Sequence, residues 1–161
     1  MTEIAKDLAQ QIFQYCSTKS IIIRTVESCT GGNLAAQFTN IPGSSKFFDR
    51  GLITYSNIAK HELLNIPQDA LSRYGAVSFE TVTLMARNLT SGRHNILSIA
   101  TTGVLGPDSD DKNNPIGLVY IAINYNNKTE AKRLNLTGNR DSIREQTILE
   151  TLKLCLNTIQ H

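Results

Sequence analysis

A chain of 161 residues, 40% hydrophobic and 19% charged, can bury one core of useful size, and it is expected to form a single domain over 1–161. Its formal net charge of +2, with no run of Lys or Arg, lacks the electrostatic footprint of a nucleic-acid or membrane-surface binder. Three cysteines without CxxC spacing, Cys16, Cys29 and Cys155, suggest neither a disulfide framework nor a zinc site, so reduced thiols and a cytoplasmic location are expected.

In chain order, Ile4, Leu8, Ile12 and Phe13 recur at helical spacing and predict a first helix over about residues 2–17. The terminus has no apolar signal core, and no apolar run approaches membrane-spanning length. "IIIRTV" reads as a short β-branched strand buried on both faces. The turn "ESCTGG" follows, then a second helix to about Asn40, ended by the breaker "IPGSS". "RGLITYS" predicts a second strand, and Ser56 or Asn57 caps the short helix "NIAKHELLN". "IPQDALSRYGAVS" reads as a turn-rich link, and a long helix runs from Phe79 to about Ser91. "NILSIATTG" is the third strand, followed by the polar loop "VLGPDSDDKNNP". "IGLVYIAINY" and "EAKRLNLTG" flank the hairpin turn "NNKT", and "DSIREQTILETLKLCLNTI" makes a last helix.

Strands alternating with helices, plus one late hairpin, predict an α/β fold: a three-layer α/β/α sandwich on a mixed, mostly parallel sheet of about five strands. Ligands of such sheets bind outside the carboxyl ends of the strands. Three loops leave strand ends there. In "ESCTGG", Ser28 and Cys29 are both possible nucleophiles, Thr30 is a polar neighbour, and the amides around Gly31 and Gly32 could serve an oxyanion. In "TYSNIAK", Tyr55 closes the strand and Lys60 lies early in a helix, where the positive end of the helix dipole lowers a lysine pKa and favours a neutral amine base. In "ATTGVLGP", Thr101 and Thr102 follow the strand, and Gly103 and Gly106 make a second place where backbone can approach a ligand. Glu27 fits three roles equally: partner of Lys60, ligand for a substrate, or cap of the following helix. His61 and His94 read as surface residues. Asp108, Asp110 and Asp111 read as a solvated acidic run, with no metal site expected.

Taken together and in order, "ESCTGG", "PGSSKFFDRGLITYSNIAK", "YGAVS", "TTGVLGP", "PIGLVYIAI" and "GNRDSIREQ" resemble the C-terminal domain of the CinA proteins, over about residues 5–156. Stand-alone members of that family are nicotinamide mononucleotide deamidases. The resemblance implies hydrolysis of a nucleotide carboxamide without a metal or other cofactor. It implies Ser28 as nucleophile in preference to Cys29, Lys60 as base, and Tyr55 as relay or positioning group. It also implies Thr102 in the polar network and Arg140 on the substrate phosphate, with Glu27, Thr30, Gly31, Gly32 and Gly103 lining the substrate site. A small-molecule nucleotide partner, a homo-oligomer and a stand-alone enzyme are the corresponding expectations. Two alternatives stay open: an amidase for a different pyridine nucleotide, and a catalytically silent nucleotide-binding or competence-related regulatory domain. The chain departs from the family in "GPDSDDKNNP", acidic where a glycine-rich segment is usual, in Leu105 where a small residue is usual, and in "GNR" for GDR. Negative charge near a phosphate would weaken its binding.

Overall fold

The structure, a computed structural model, describes residues 2–90 and 94–160. Helix α1 (Glu3–Lys19) starts at Thr2, whose hydroxyl accepts from the Ala5 amide, and stops at Ser20 in the left-handed region. Strand β1 (Ile22–Glu27) leads through the ESCTGG turn into α2 (Asn33–Thr39) and then β2 (Phe48–Ile53). Helices α3 (Asn57–Leu64), α4 (Gln68–Tyr74) and α5 (Phe79–Thr90) precede β3 (Ile96–Gly103). The hairpin β4 (Leu118–Tyr125) and β5 (Lys128–Asn135) follows, and α6 (Arg140–Gln160) ends the chain. The predicted last residue of the third long helix, Ser91, lies outside the described residues.

One expectation is corrected. The stretch read as a turn-rich link contains α4, with Pro67 at its start, Leu71 buried and Gly75 at its end. With Leu71 its one buried residue, α4 shows no apolar period, and the Pro and Gly that bracket it read equally as turn residues.

The sheet order is β2-β1-β3-β4-β5. β1 pairs in parallel with β2 and β3, while β4 is antiparallel to β3 and β5. Four strands therefore run one way and β4 runs the other. The hairpin turn uses Asn126 and Asn127, both at positive φ, the geometry that matches strand twist. Strand residues alternate between two cores. Ile23, Ile99 and Ile121 face α1, α2 and α6, where Ile12, Phe38 and Leu152 meet them. Val26, Ala100 and Ala122 face α5, packing on Val82 and Met85. Each fully buried Ile or Leu contributes roughly 1.5–3 kcal/mol of transfer free energy, which outweighs the weak propensity of segments this short. The three-layer α/β/α sandwich is thus the observed architecture. No described helix is long and apolar enough to cross a membrane.

Candidate active site

The carboxyl ends of β1, β2 and β3 come together because they are adjacent in the sheet. The Ser28 amide donates to the Thr101 carbonyl (3.0 Å), and the Thr54 amide donates to the Glu27 carbonyl (2.8 Å). Ser28 therefore leaves β1 pinned between its two neighbours.

Lys60 approaches from α3. Ser56 caps that helix by accepting from the Ala59 amide, and this places Lys60 one turn in, against the strand ends. Its side chain has no exposed surface. The Nζ lies 3.2 Å from Ser28 Oγ and donates to the Thr54 carbonyl at 2.6 Å. Burial disfavours the charged ammonium and lowers the Lys60 pKa from 10.5 to about 8. The sequence reading assigned this shift to the helix dipole, whereas its cause is desolvation. A neutral amine has one lone pair and two N–H groups. It can donate to Thr54 and accept from the Ser28 hydroxyl at once, which is the arrangement a base needs.

Glu27 is 1% exposed and caps α2. Its Oε2 accepts from Thr30 Oγ1 (2.6 Å), the Gly32 amide (3.0 Å) and the Leu34 amide (3.0 Å), and its Oε1 accepts from the Ala35 amide (2.8 Å). The carboxylate faces the helix end and forms no hydrogen bond to Lys60. Gly31 and Gly32 both take positive φ, 59° and 93°, and bring the chain round in this tight loop. Their amides are already engaged: Gly32 on Glu27, and Gly31 on the Ser28 carbonyl at 3.3 Å. Among the described residues of the turn, no hydrogen bond is made to another residue by the Cys29 or the Thr30 amide.

Cys29 is buried in the core on the α1 and α6 face. Burial pushes its thiol up to about 12. The structure thus separates the two adjacent candidates: Ser28 meets the lysine and Cys29 turns inward, as alternation along a strand end requires.

The third loop is split in the same way. Thr102 donates to the Ala76 carbonyl (2.8 Å) and ties down the "YGAVS" segment, while Thr101, its neighbour, meets Thr30 Oγ1 at 2.8 Å. Thr101 was not singled out for a site role, nor was Thr54. The register places Thr101 beside Glu27, so the missing signal was the β1–β3 pairing itself. Gly103 is required by packing, since a Cβ there would sit 2.6 Å from Val119 Cγ2.

At the rim, Tyr55 and Arg140 are exposed. The Arg140 guanidinium donates to the Gly106 carbonyl (2.6 Å) and to the Tyr55 hydroxyl (3.1 Å). Tyr55 thus meets Arg140 and makes no described hydrogen bond to Ser28 or Lys60. Asp110 staples its own loop by accepting from the Lys112 and Asn114 amides and the Asn114 side chain. His61 is half-buried and bonds the Ile66 carbonyl, and His94 is exposed at the opposite end of the sheet. Among the described residues no group of three His, Cys, Asp or Glu could hold a metal ion.

Fold and geometry define an α/β protein with a buried serine–lysine pair where its parallel strands end. The chain belongs to the CinA C-terminal domain family, whose profile matches residues 5–159. A competence-damage inducible protein of Acetivibrio thermocellus is 38% identical over 164 residues, covering 94% of this chain and 40% of the relative. One from Clostridium novyi is 42% identical over 134 residues, covering 83% and 32%. The chain therefore spans only about a third to two fifths of the length of these curated relatives. The crystal structure of competence/damage inducible protein CihA from Agrobacterium tumefaciens matches with a TM-score of 0.92 at 31% identity, over 100% of this chain and 98% of that one. Competence damage-inducible protein A from Klebsiella pneumoniae gives a TM-score of 0.92 at 27% identity, over 98% of both chains.

Proposed function

We propose that the domain is an amidohydrolase that converts the carboxamide of nicotinamide mononucleotide to the carboxylate, releasing ammonia. The observation that carries this reading is the wholly buried Lys60, with Nζ 3.2 Å from Ser28 Oγ and a pKa lowered to about 8. A buried amine is costly to keep, and strongly shifted lysines cluster at reacting sites.

In the proposed reaction Ser28 Oγ attacks the amide carbon as Lys60 Nζ takes its proton. The oxyanion's donors in this reading are the Cys29 and Thr30 amides, which no other residue engages. Lys60 then returns the proton to the departing nitrogen, the C–N bond breaks, and ammonia leaves an ester on Ser28. Water, deprotonated by Lys60, attacks that ester; the serine oxygen recovers the proton, and nicotinic acid mononucleotide departs. Arg140 is the phosphate ligand. Its two present partners are neutral oxygens, and a phosphate would add the attraction of opposite charges and a bidentate fit to the guanidinium fork. Once released from Arg140, the exposed Tyr55 hydroxyl can turn toward the reacting group. The exposed Ile53, Tyr55, Ile58 and Leu63 beside this rim support a homo-oligomer, in which a second copy covers them.

The test is ammonia release from nicotinamide mononucleotide by the purified protein after chelator treatment, beside Ser28→Ala and Cys29→Ala. Activity that survives the chelator and Cys29→Ala and is lost in Ser28→Ala is expected. Nucleotide binding without ammonia release by the wild type would overturn the reading in favour of a silent binding domain.

A further inference from the structure

At the end of the sheet away from Ser28, the pairing of β1 with β2 slips by one residue: Ile23 lies opposite Phe48, but Arg24 lies opposite Arg50. Asp49 is the extra residue, and such a slip re-aims side chains that regular pairing would send to opposite faces. One carboxylate oxygen, Asp49 Oδ2, then meets two guanidiniums, at 2.7 Å from Arg24 Nε and 2.9 Å from Arg50 Nε. Arg24 is 7% exposed. Its Nη1 donates to the Leu89 carbonyl in the last turn of α5 (2.9 Å), and its Nη2 has no hydrogen-bond partner among the described residues. A buried guanidinium that shares its carboxylate with a second guanidinium is under-compensated.

Arg24 and Arg50 line a cavity of about 480 Å³, whose wall also carries Lys46, an exposed ammonium with no side-chain partner among the described residues. Three cations thus share one carboxylate, in a chain whose whole formal charge is only +2. The other walls are apolar: Phe47, held edge-on by Phe13 at 5.4 Å between ring centroids, and Phe48, stacked on Phe38 at 6.2 Å, stand beside Ile22 and Ile96. A matching occupant needs about two negative charges, several acceptor oxygens and an apolar or ring-shaped body. A carboxylate brings one charge, whereas a phosphate monoester brings about 1.5–2 at pH 7 and three acceptor oxygens, the geometry that a guanidinium fork fits. We propose that this cavity is a binding site for an organic phosphate monoester, separate from the Ser28–Lys60 centre. Arg24 Nη2, Arg50 and Lys46 hold the phosphate, and the organic body lies against the apolar walls. Asp49 fixes both guanidiniums in advance, so that less side-chain freedom is lost on binding. The site is independent of what Ser28 does.

The test titrates adenosine 5′-monophosphate, inorganic phosphate and adenosine into the full chain carrying Arg140→Ala, which removes the rim guanidinium from competition. Binding is read by NMR at the Nε–H signals of Arg24 and Arg50, assigned by their loss in Arg24→Met and Arg50→Met. The monophosphate is expected to shift both signals saturably, and less tightly as sodium chloride is raised. Inorganic phosphate, which has no body for the apolar walls, should bind at least about tenfold more weakly, and adenosine should shift neither signal. Lys46→Met breaks no bond of the fold and should weaken the monophosphate by about tenfold, the equivalent of one charge-assisted contact. Should Arg24→Met fail to fold, the Arg50 signal and Lys46→Met carry the test without it. Signals that adenosine shifts as far as its monophosphate, an absence of saturable shift, or an unchanged affinity in Lys46→Met overturns the proposal. Equal binding of inorganic phosphate and the monophosphate overturns it in favour of a site for the bare ion. Shifts that appear in the wild type and vanish with Arg140→Ala overturn it too, since the phosphate would then sit at the rim alone.

Discussion

The buried centre and the exposed rim of the candidate site use the same kinds of polar groups under opposite conditions. At the centre, Ser28, Lys60 and Glu27 are each less than a tenth exposed, and every contact is made in a low dielectric. At the rim, Arg140 and Tyr55 are solvated, and their mutual bond competes with water. The centre can therefore shift a lysine pKa and hold a nucleophile rigidly. The rim can exchange partners cheaply. Chemistry belongs to the first and substrate capture to the second, and substitutions should separate along that line.

The largest effect is expected at the base. Lys60→Met should lower kcat by about 10²–10⁴-fold, the range for a positioned general base, with KM nearly unchanged. Steady-state kinetics with an ammonia readout checks this, and a change confined to KM would contradict the division. The wild type should also gain activity with rising pH up to a plateau above about pH 8, because only neutral Lys60 accepts a proton. Stability should follow the same group. Between about pH 8 and 10.5 an unfolded lysine still holds a proton that folded Lys60 has released. Unfolding there takes up a proton, so stability rises with pH through this window, by up to about 3 kcal/mol at 1.36 kcal/mol per unit. Urea titrations across that window should show the rise in wild type and its loss in Lys60→Met.

The next effect belongs to the rim. Arg140→Ala should raise KM for nicotinamide mononucleotide by about 10–100-fold, the equivalent of one charge-assisted phosphate bond, with a small change in kcat. The corresponding nucleoside, which lacks the phosphate, should show no such increase. A comparable loss with the nucleoside would mean that Arg140 supports the loop through Gly106 and not the phosphate.

Sequence alone carried the layers because the apolar strands and the long helices print their periods plainly; α4 was missed because its short stretch lies between Pro67 and Gly75, which read as turn residues. The site divided in a similar way. Ser28 and Lys60 were legible as residue types at strand ends, but their 3.2 Å approach depends on β1, β2 and α3 meeting, which no local pattern encodes. Glu27 had three equal readings until its five donors were visible. Thr101 and Thr54 had no signal at all, since a threonine in a β-branched strand looks like any other until its neighbour is known.

The smallest expected effect lies in the acidic loop that departs from the family pattern. Asp108 and Asp111 are exposed in the loop that follows Gly106, whose carbonyl Arg140 holds, while Asp110 is committed to its own loop and is left in place. If the phosphate sits on Arg140, these two carboxylates repel it through solvent, where like charges several ångströms apart are worth about 1 kcal/mol or less. Asp108→Asn with Asp111→Asn should therefore lower KM by about two- to fivefold at low ionic strength. The gain should fade as salt is raised, because a screening length of about 10 Å at 0.1 M shrinks below the separation of such groups at 1 M. Neither kcat nor the pH profile should move, since Lys60 is buried and insulated from the rim. A salt-independent change in kcat would show that the loop acts on the buried centre, and the separation between the two regions would fail.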